Sequence, residues 1–492
     1  MRKAFDPQLR LDCPDVANVQ LNLNGRHELI PILRALQHIY SKPEVRDSIL
    51  DAIGRDVNRT SDPHRGRPGM SYWEITVLAA AKLGCDCDYD QLSDLAQNHR
   101  ALRQIMGIGD WDDERDAKRF DFRRIESNLE LLRPETIQEI NAAIVTEGHR
   151  LEPKAAETSR ADTVVVETNI HYPTDSSLIR DGVRKVLALA VALACMFDLA
   201  GWRQHQHGYR KVRRLCRHID RIARGKRPDR QKRLQALYGQ LLSEAGTVCD
   251  RAKALLEAIR RNGCLTPEAM AMEAELETFL QRTLQVCDTA RRRVLLEEHV
   301  PNGEKLFSIF EPHTQLYKRG KANQEVQFGR LVLIYEDGAG FVSHYSVLPR
   351  DKGDRDVAVE ETRKAQERHG GRIRRASFDR GFYSPDNQEK LAKILDEPCL
   401  PMPGAKQAAE QNRTASVEFR KARQSHPGVE SAIHALQSGN GLKRCRDRSE
   451  RGFERYIGLG VLGRNLHVLG KLLIARESPD AVAGSSRRKS AA

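Results

Sequence analysis

Residues 160–166 read RADTVVV, and this short stretch decides the fold class. Thr163 to Val166 form an unbroken β-branched run, the pattern of a strand buried on both faces. Asp162 stands where that strand is expected to begin. Upstream the chain has helical periodicity: Leu29, Ile30, Ile32, Leu33, Leu36 and Ile39 share one face. Further helices are expected over Ser71 to Leu83, Asp90 to Met106 and Arg123 to Ile144, with Pro134 breaking the last. Ser61 to Met70 (SDPHRGRPGM) reads as a basic loop between them. Residues 1–150 are therefore expected to form a helical head, and several short helices with basic loops suit a DNA-binding head or, equally, an ordinary helical domain.

Downstream of the strand lies a long helical region, from about Asp181 to Glu298. Within it Leu234, Leu241, Val248 and Leu255 recur every seven residues, and Tyr238, Ala245, Ala252 and Ile259 form a second row. Two such rows predict an antiparallel helical hairpin or coiled-coil-like packing. Strand patterns return in Val326 to Tyr335 and Phe341 to Leu348, flanking the turn residues Glu336 to Gly340. A helix from about Asp354 to His369 follows, then a strand over Arg372 to Phe378 and a helix over Ser384 to Leu395. A short strand over Cys399 to Met402 and a helix containing Val429 to Leu436 come next. An apolar helix over Tyr456 to Ala475 closes the core, and residues 476–492 read as a disordered tail. The expected class is α/β: a mixed sheet with helices on its faces, built from residues 151–182 and 300–475, with a basic helical insertion over 183–299.

A chain of 492 residues exceeds one compact core and predicts two to four structural units. Lys and Arg outnumber Asp and Glu by 81 − 68 = 13, which points to a polyanionic partner. The longest apolar run, Val186 to Phe197, has 12 residues, well short of the roughly 20 that span a bilayer. The N-terminus lacks the continuous apolar stretch of a secretory signal. Ten cysteines are scattered without a CxxC pair, so reduced thiols in a cytoplasm are expected. Nucleic acid is thus the favoured partner. Residues 200–235 carry 13 Lys and Arg against two Asp, most of the whole surplus. Arg210, Lys211, Arg213 and Arg214 lie in its middle, and a phosphate-tracking surface is the reading preferred over a solvated helix face.

Three acids stand at structural transitions. Asp162 adjoins the buried strand. Asp379 follows Arg374-Arg375-Ala376-Ser377-Phe378 directly, and Gly381 permits a turn that leaves its carboxylate at a strand end. Glu430 follows Pro427 near an expected helix start. Three such carboxylates can hold two divalent ions about 4 Å apart for phosphodiester cleavage, and oxygen donors suit magnesium. Competitors remain. Asp175 can replace Asp162 or be part of a helix cap, and Glu418 or Glu450 can replace Glu430. Glu167 suits a strand-end salt bridge. His426, four residues before Glu430, suits a capping or supporting role better than metal ligation. Lys318 to Lys321 lacks the GxxxxGK[ST] frame, which rules out nucleotide hydrolysis by that route. His313 and His344 read as structural histidines, and Trp73, Trp111 and Trp202 as core.

The stretch ADTVVVETNIHYPTDSSLIR, Ala161 to Arg180, closely resembles the first catalytic block of bacterial insertion-sequence transposases of the DDE type, especially the ISNCY-like group. Blocks similar to the same family follow its order: RPGMSYWEITVLAAAKLG from Arg67, FEPHTQLYKRGKANQEVQFG from Phe310, SFDRGFYSPDN from Ser377, HPGVESAI from His426 and GLGVLGRNLHVLG from Gly458. The resemblance covers roughly residues 65–475. It implies an RNase H-like catalytic core with Asp162, Asp379 and Glu430 as ligands of Mg2+, for which Mn2+ can substitute. It further implies binding to the terminal inverted repeats of a mobile element, cleavage exposing a 3′ hydroxyl, and transfer of that strand to target DNA. A homodimer would join two transposon ends, working at the nucleoid in the cytoplasm. Arg380, Lys321, Lys443 and Arg444 are further candidates for phosphate contact. One departure stands out: many related transposases carry Tyr, Arg and Lys at fixed offsets around the catalytic Glu, where this chain has His426 and Gln437.

Overall fold

The computed structural model describes residues 2–5, 11–59, 62, 69–109, 119–261, 266–318 and 326–477. Among them, the helices preceding the sheet are α1 (Leu29–Tyr40), α2 (Pro43–Val57), α3 (Tyr72–Gly84), α4 (Tyr89–Asn98), α5 (Arg100–Ile105), α6 (Phe122–Leu129) and α7 (Pro134–Leu151). Local chemistry sets their ends. Ser71 and Glu74 form a reciprocal capping box on α3. Pro134 occupies the first turn of α7, where its missing N–H costs nothing, so the expected break falls there. The helix expected over Asp90 to Met106 is two, because His99 is extended and its Nδ1 accepts the Leu102 N–H at 3.2 Å to cap α5.

The chain forms two compact units, one of residues up to Glu167 together with those from Arg330 onward, the other Thr168–Gly329. The first contains β1 (Thr158–Glu167), most of β3 (Gln327–Asp337), β4 (Val342–Val347), α12 (Asp354–Arg368), β5 (Arg375–Phe378), α13 (Pro385–Ala392), β6 (Glu397–Cys399), α14 (Ala405–Thr414), α15 (Val417–Ser425), α16 (Gly428–Gly439) and α17 (Glu450–Glu477). The second contains α8 (Asp175–Met196), α9 (His205–Ala223), α10 (Arg230–Arg261), α11 (Pro267–Ala290) and β2 (Gln315–Tyr317), which pairs with residues 327–329 of β3. The class is mixed α/β, 63% helical, with a curled mixed sheet.

In the first unit the strand order is β4-β3-β1-β5-β6. β3 and β4 are antiparallel, and β1–β5 and β5–β6 are parallel. Gly338 N donates to Ala155 O at 3.1 Å while Ser159 meets Glu336, so β1 and β3 run in opposite directions. Helices cover both faces. On one, α12 brings Glu361 to His344 Nε2 (2.8 Å), Thr362 to the Tyr335 hydroxyl (2.9 Å) and Asp354 to Thr163 Oγ1 (2.9 Å). On the other, α16 and α17 pack over β1 and β4. Asn465 of α17 closes this layer: its Oδ1 accepts Val342 N–H (2.8 Å), and its Nδ2 donates to Val342 O (3.1 Å) and to Asn141 Oδ1 on α7 (3.0 Å).

Two expectations change here. β1 starts at Thr158 rather than at the β-branched run, so Asp162 lies in mid-strand. Thr158 to Ala161 are recruited by pairing with β5, since strand preference follows the partner more than the residue. And the helices of residues 1–150 do not form a head of their own. Leu33, Trp73, Ile105 and Ile137 share one apolar core with Val164, Val332, Phe341 and Leu462. Close backbone approach makes this possible: a Cβ on Gly463 of α17 would lie 2.5 Å from Gly84 Cα on α3. α17 is long and apolar enough to cross a membrane, but 72% of its apolar window is buried inside the fold, which accounts for its composition.

The second unit takes up more of the chain than the insertion expected over 183–299. Its core holds both heptad rows: Leu241, Val248, Leu255, Ala245, Ala252 and Ile259 of α10 are buried against α8, α9 and α11. Asp175 has a partner of its own. Thr174 caps α8, and Asp175 in its first turn holds Arg293 at 2.9 Å.

Candidate active site

β1 and β5 lie side by side in the register Thr158–Arg375, Ser159–Ala376, Arg160–Ser377 and Ala161–Phe378. The next step along both strands is Asp162 beside Asp379. Residues level with each other on parallel strands point to the same face, and this register, continued one step past the end of β5, would set the two aspartates on one face. Two residues earlier on that face stand Arg160 and Ser377, and both hold the start of α16. Arg160 Nη1 donates to Ser425 O (3.2 Å), and the Ser377 hydroxyl bonds His426 Nδ1 (3.0 Å). α16 therefore begins over the strand pair, with Glu430 in its first turn. These acids are far apart in the chain, and the sheet register together with the helix dock brings them to one region.

Asp379 and Glu430 are exposed, and Asp162 is half-buried, with its Oδ1 accepting the Thr163 N–H at 2.7 Å. His426 is buried between them. Burial lowers its pKa, as do Arg423 and Arg160, while the negative charges of Asp379 and Glu430 oppose the shift. Behind Arg160, burial pushes Glu336 up to about 7, against the pull of Arg160 and Arg464. Among the described residues, no three His, Cys, Asp or Glu side chains stand close enough to hold a metal ion as they are placed. The donor set itself, three carboxylates, suits a hard divalent cation.

Two of the other acids weighed from sequence are committed to ion pairs. Glu167 pairs with Arg444 (3.1 Å), as a strand-end salt bridge. Glu450 pairs with Arg330 (2.7 Å), and Glu418 lies in the first turn of α15.

No family model, curated protein or solved structure matches this chain.

The basic candidates divide. α9 is strongly amphipathic, burying Val212, Cys216 and Ile219 and turning Arg210, Arg213, Arg214, Arg217 and Arg221 to solvent. Among the described residues none of these five arginines makes an ion pair, whereas Lys211 is held by Glu244 at 3.3 Å. Arg380, in the turn after Asp379, and Lys443 are exposed. Arg444 is committed to Glu167, which weakens it as a phosphate contact. Lys321 and Trp111 lie outside the described residues. Trp73 and Trp202 are core residues, 2% and 8% exposed.

Sequence reading missed Arg160, Ser377 and Asp354. Arg160 has no motif of its own, Ser377 opens the SFDRGFYSPDN block without a role assigned to it, and both gain meaning only from the register. Asp354 reads as an ordinary helix-start acid, yet it accepts the Thr163 hydroxyl and crowds Gly381, where a Cβ would come within 2.9 Å of its Oδ2.

Proposed function

We propose that this chain is a DDE-type transposase whose sheet is an RNase H-like core. The reading is carried by one observation: Asp162 and Asp379 directly follow the last pair of the β1–β5 register, and the chain entering the helix that bears Glu430 is tied to Arg160 of that register. The resemblance of Ala161–Arg180 and the later blocks to insertion-sequence transposases supports it, as does the cationic face of α9.

Asp162, Asp379 and Glu430 would hold two divalent cations, Mg2+ or Mn2+. When bound, such a pair activates an attacking oxygen and neutralises the leaving one. The protein's own part is positional and electrostatic. Arg380, one residue beyond Asp379 and exposed, would contact the scissile phosphate. Arg210, Arg213 and Arg214, with Lys211, would contact the DNA backbone, with Lys443 as a further contact. Water and a DNA 3′ hydroxyl serve as nucleophiles, so no covalent protein–DNA bond forms. Two ends have to be joined in one complex, which calls for a homodimer on DNA.

The test is direct. The protein is incubated with Mg2+ and three substrates: a duplex ending in the inverted repeat that flanks its own reading frame, an unrelated duplex, and an RNA–DNA hybrid. Cutting at the repeat terminus that leaves a 3′ hydroxyl, followed by joining to a target duplex, is the expected result. Preferred cutting of the hybrid would reassign the core to another nuclease. Repeat binding without cutting would make the chain a DNA-binding protein only.

A further inference from the structure

We propose that Arg160 is a positioning residue that locks the helix carrying Glu430 onto the strand carrying Asp162; this rests on the carboxylate reading above. The guanidinium makes contacts in two directions. Nη2 is anchored on the sheet, 2.9 Å from Glu336 Oε2 and 3.2 Å from Asp337 O. Nη1 reaches the other way and donates to Ser425 O, three residues before α16 begins. Arginine alone has a planar fork that serves both directions at once.

The fit is tight. A Cβ on Gly428, the first residue of α16, would lie 1.9 Å from Arg160 Nη1 and 2.7 Å from its Cζ. Any larger residue at 428 has to push either the guanidinium or the helix aside. Glu430 follows two residues later, in the same turn, so its position is set by that contact. Ser377, the register partner of Arg160, adds a second tie through His426. Arg160 and Ser377 thus form an anchoring layer. Asp162 and Asp379 form the next layer on the same face.

Iron-directed cleavage of the full-length protein tests this. Fe2+ with ascorbate and peroxide generates hydroxyl radicals at a bound ion, and mass spectrometry locates the backbone cuts. In the unaltered chain, cuts are expected near Asp162, Asp379 and Glu430. Arg160→Met is expected to lose the cuts near Glu430 while keeping those near Asp162 and Asp379, and Arg160→Lys to restore them in part. Gly428→Ala, which keeps Arg160 and favours helix, is expected to show the same selective loss. DNA cleavage should fall about 10²-fold in Arg160→Met and Gly428→Ala, the effect of a displacement near 1 Å. Undiminished cuts near Glu430 in both variants would overturn the inference and leave the metal-site reading intact. Absence of localised cuts in the unaltered chain would overturn both.

Discussion

Asn465 shows how much a single side chain carries here. Fully buried, it satisfies both backbone groups of Val342 and ties in Asn141, which also donates to Gly458 O at 3.2 Å. Leucine at 465 would leave the Val342 N–H and C=O buried without partners, at roughly 1–3 kcal/mol each. We expect Asn465→Leu to lower stability by about 2–5 kcal/mol, measured as the shift in urea midpoint. The candidate carboxylates behave oppositely. Asp379 and Glu430 are exposed, so neutralising them should hardly change the midpoint. A divalent cation contributes several kcal/mol to transition-state stabilisation. Asp162→Asn, Asp379→Asn and Glu430→Gln should therefore each reduce strand cleavage by about 10³-fold or more while DNA binding persists. Near-normal cleavage by any one of them in Mg2+ would remove that residue from the site.

Helices were largely legible as elements, because amphipathic periodicity and caps are local. Pro134 opens α7 as expected, and the heptad rows of α10 are buried as expected. Boundaries moved where a neighbouring strand or a cap intervened, as at Thr158 and His99. The face of α9 belongs to this scale as well. Its buried stripe of Val212, Cys216 and Ile219 forces the arginines outward. Reversing the charges at Arg210, Lys211, Arg213 and Arg214 should weaken DNA affinity and flatten its salt dependence, by up to about 0.9 in log–log slope for each phosphate that is no longer neutralised. Lys211 should contribute least, since Glu244 already holds it. An unchanged slope in a titration over salt would leave α9 as a solvated surface.

At the scale of the whole molecule, acid should weaken the fold. Burial lowers the pKa of His344, His369, His426 and His467, with His369 and His467 brought to about 4. In the unfolded chain these imidazoles titrate near 6.5. Below that value the unfolded state takes up protons that the folded state refuses, so stability is full above about pH 6.5 and is lost as pH falls toward 4. Thermal unfolding should therefore shift to lower temperature between pH 7 and pH 5. The same scan in His369→Gln should show a shallower decline, and an unaltered slope would mean that this histidine contributes nothing to it.

What the amino-acid order settled by itself is the inventory: where helices and strands fall, which stripes turn inward, and that the charge surplus concentrates over residues 200–235. These follow from propensity, periodicity and counting, all of which act over a few residues. The tertiary structure decided who meets whom. Only the parallel register of β1 and β5 sets Arg160 level with Ser377, two residues before Asp162 and Asp379, and brings the Arg160 guanidinium against Gly428. Only packing commits Arg444 to Glu167 and merges the first helices with the sheet in one core. Such pairings join stretches far apart in the chain, and their register is set by how whole faces bury against each other, which no local pattern encodes.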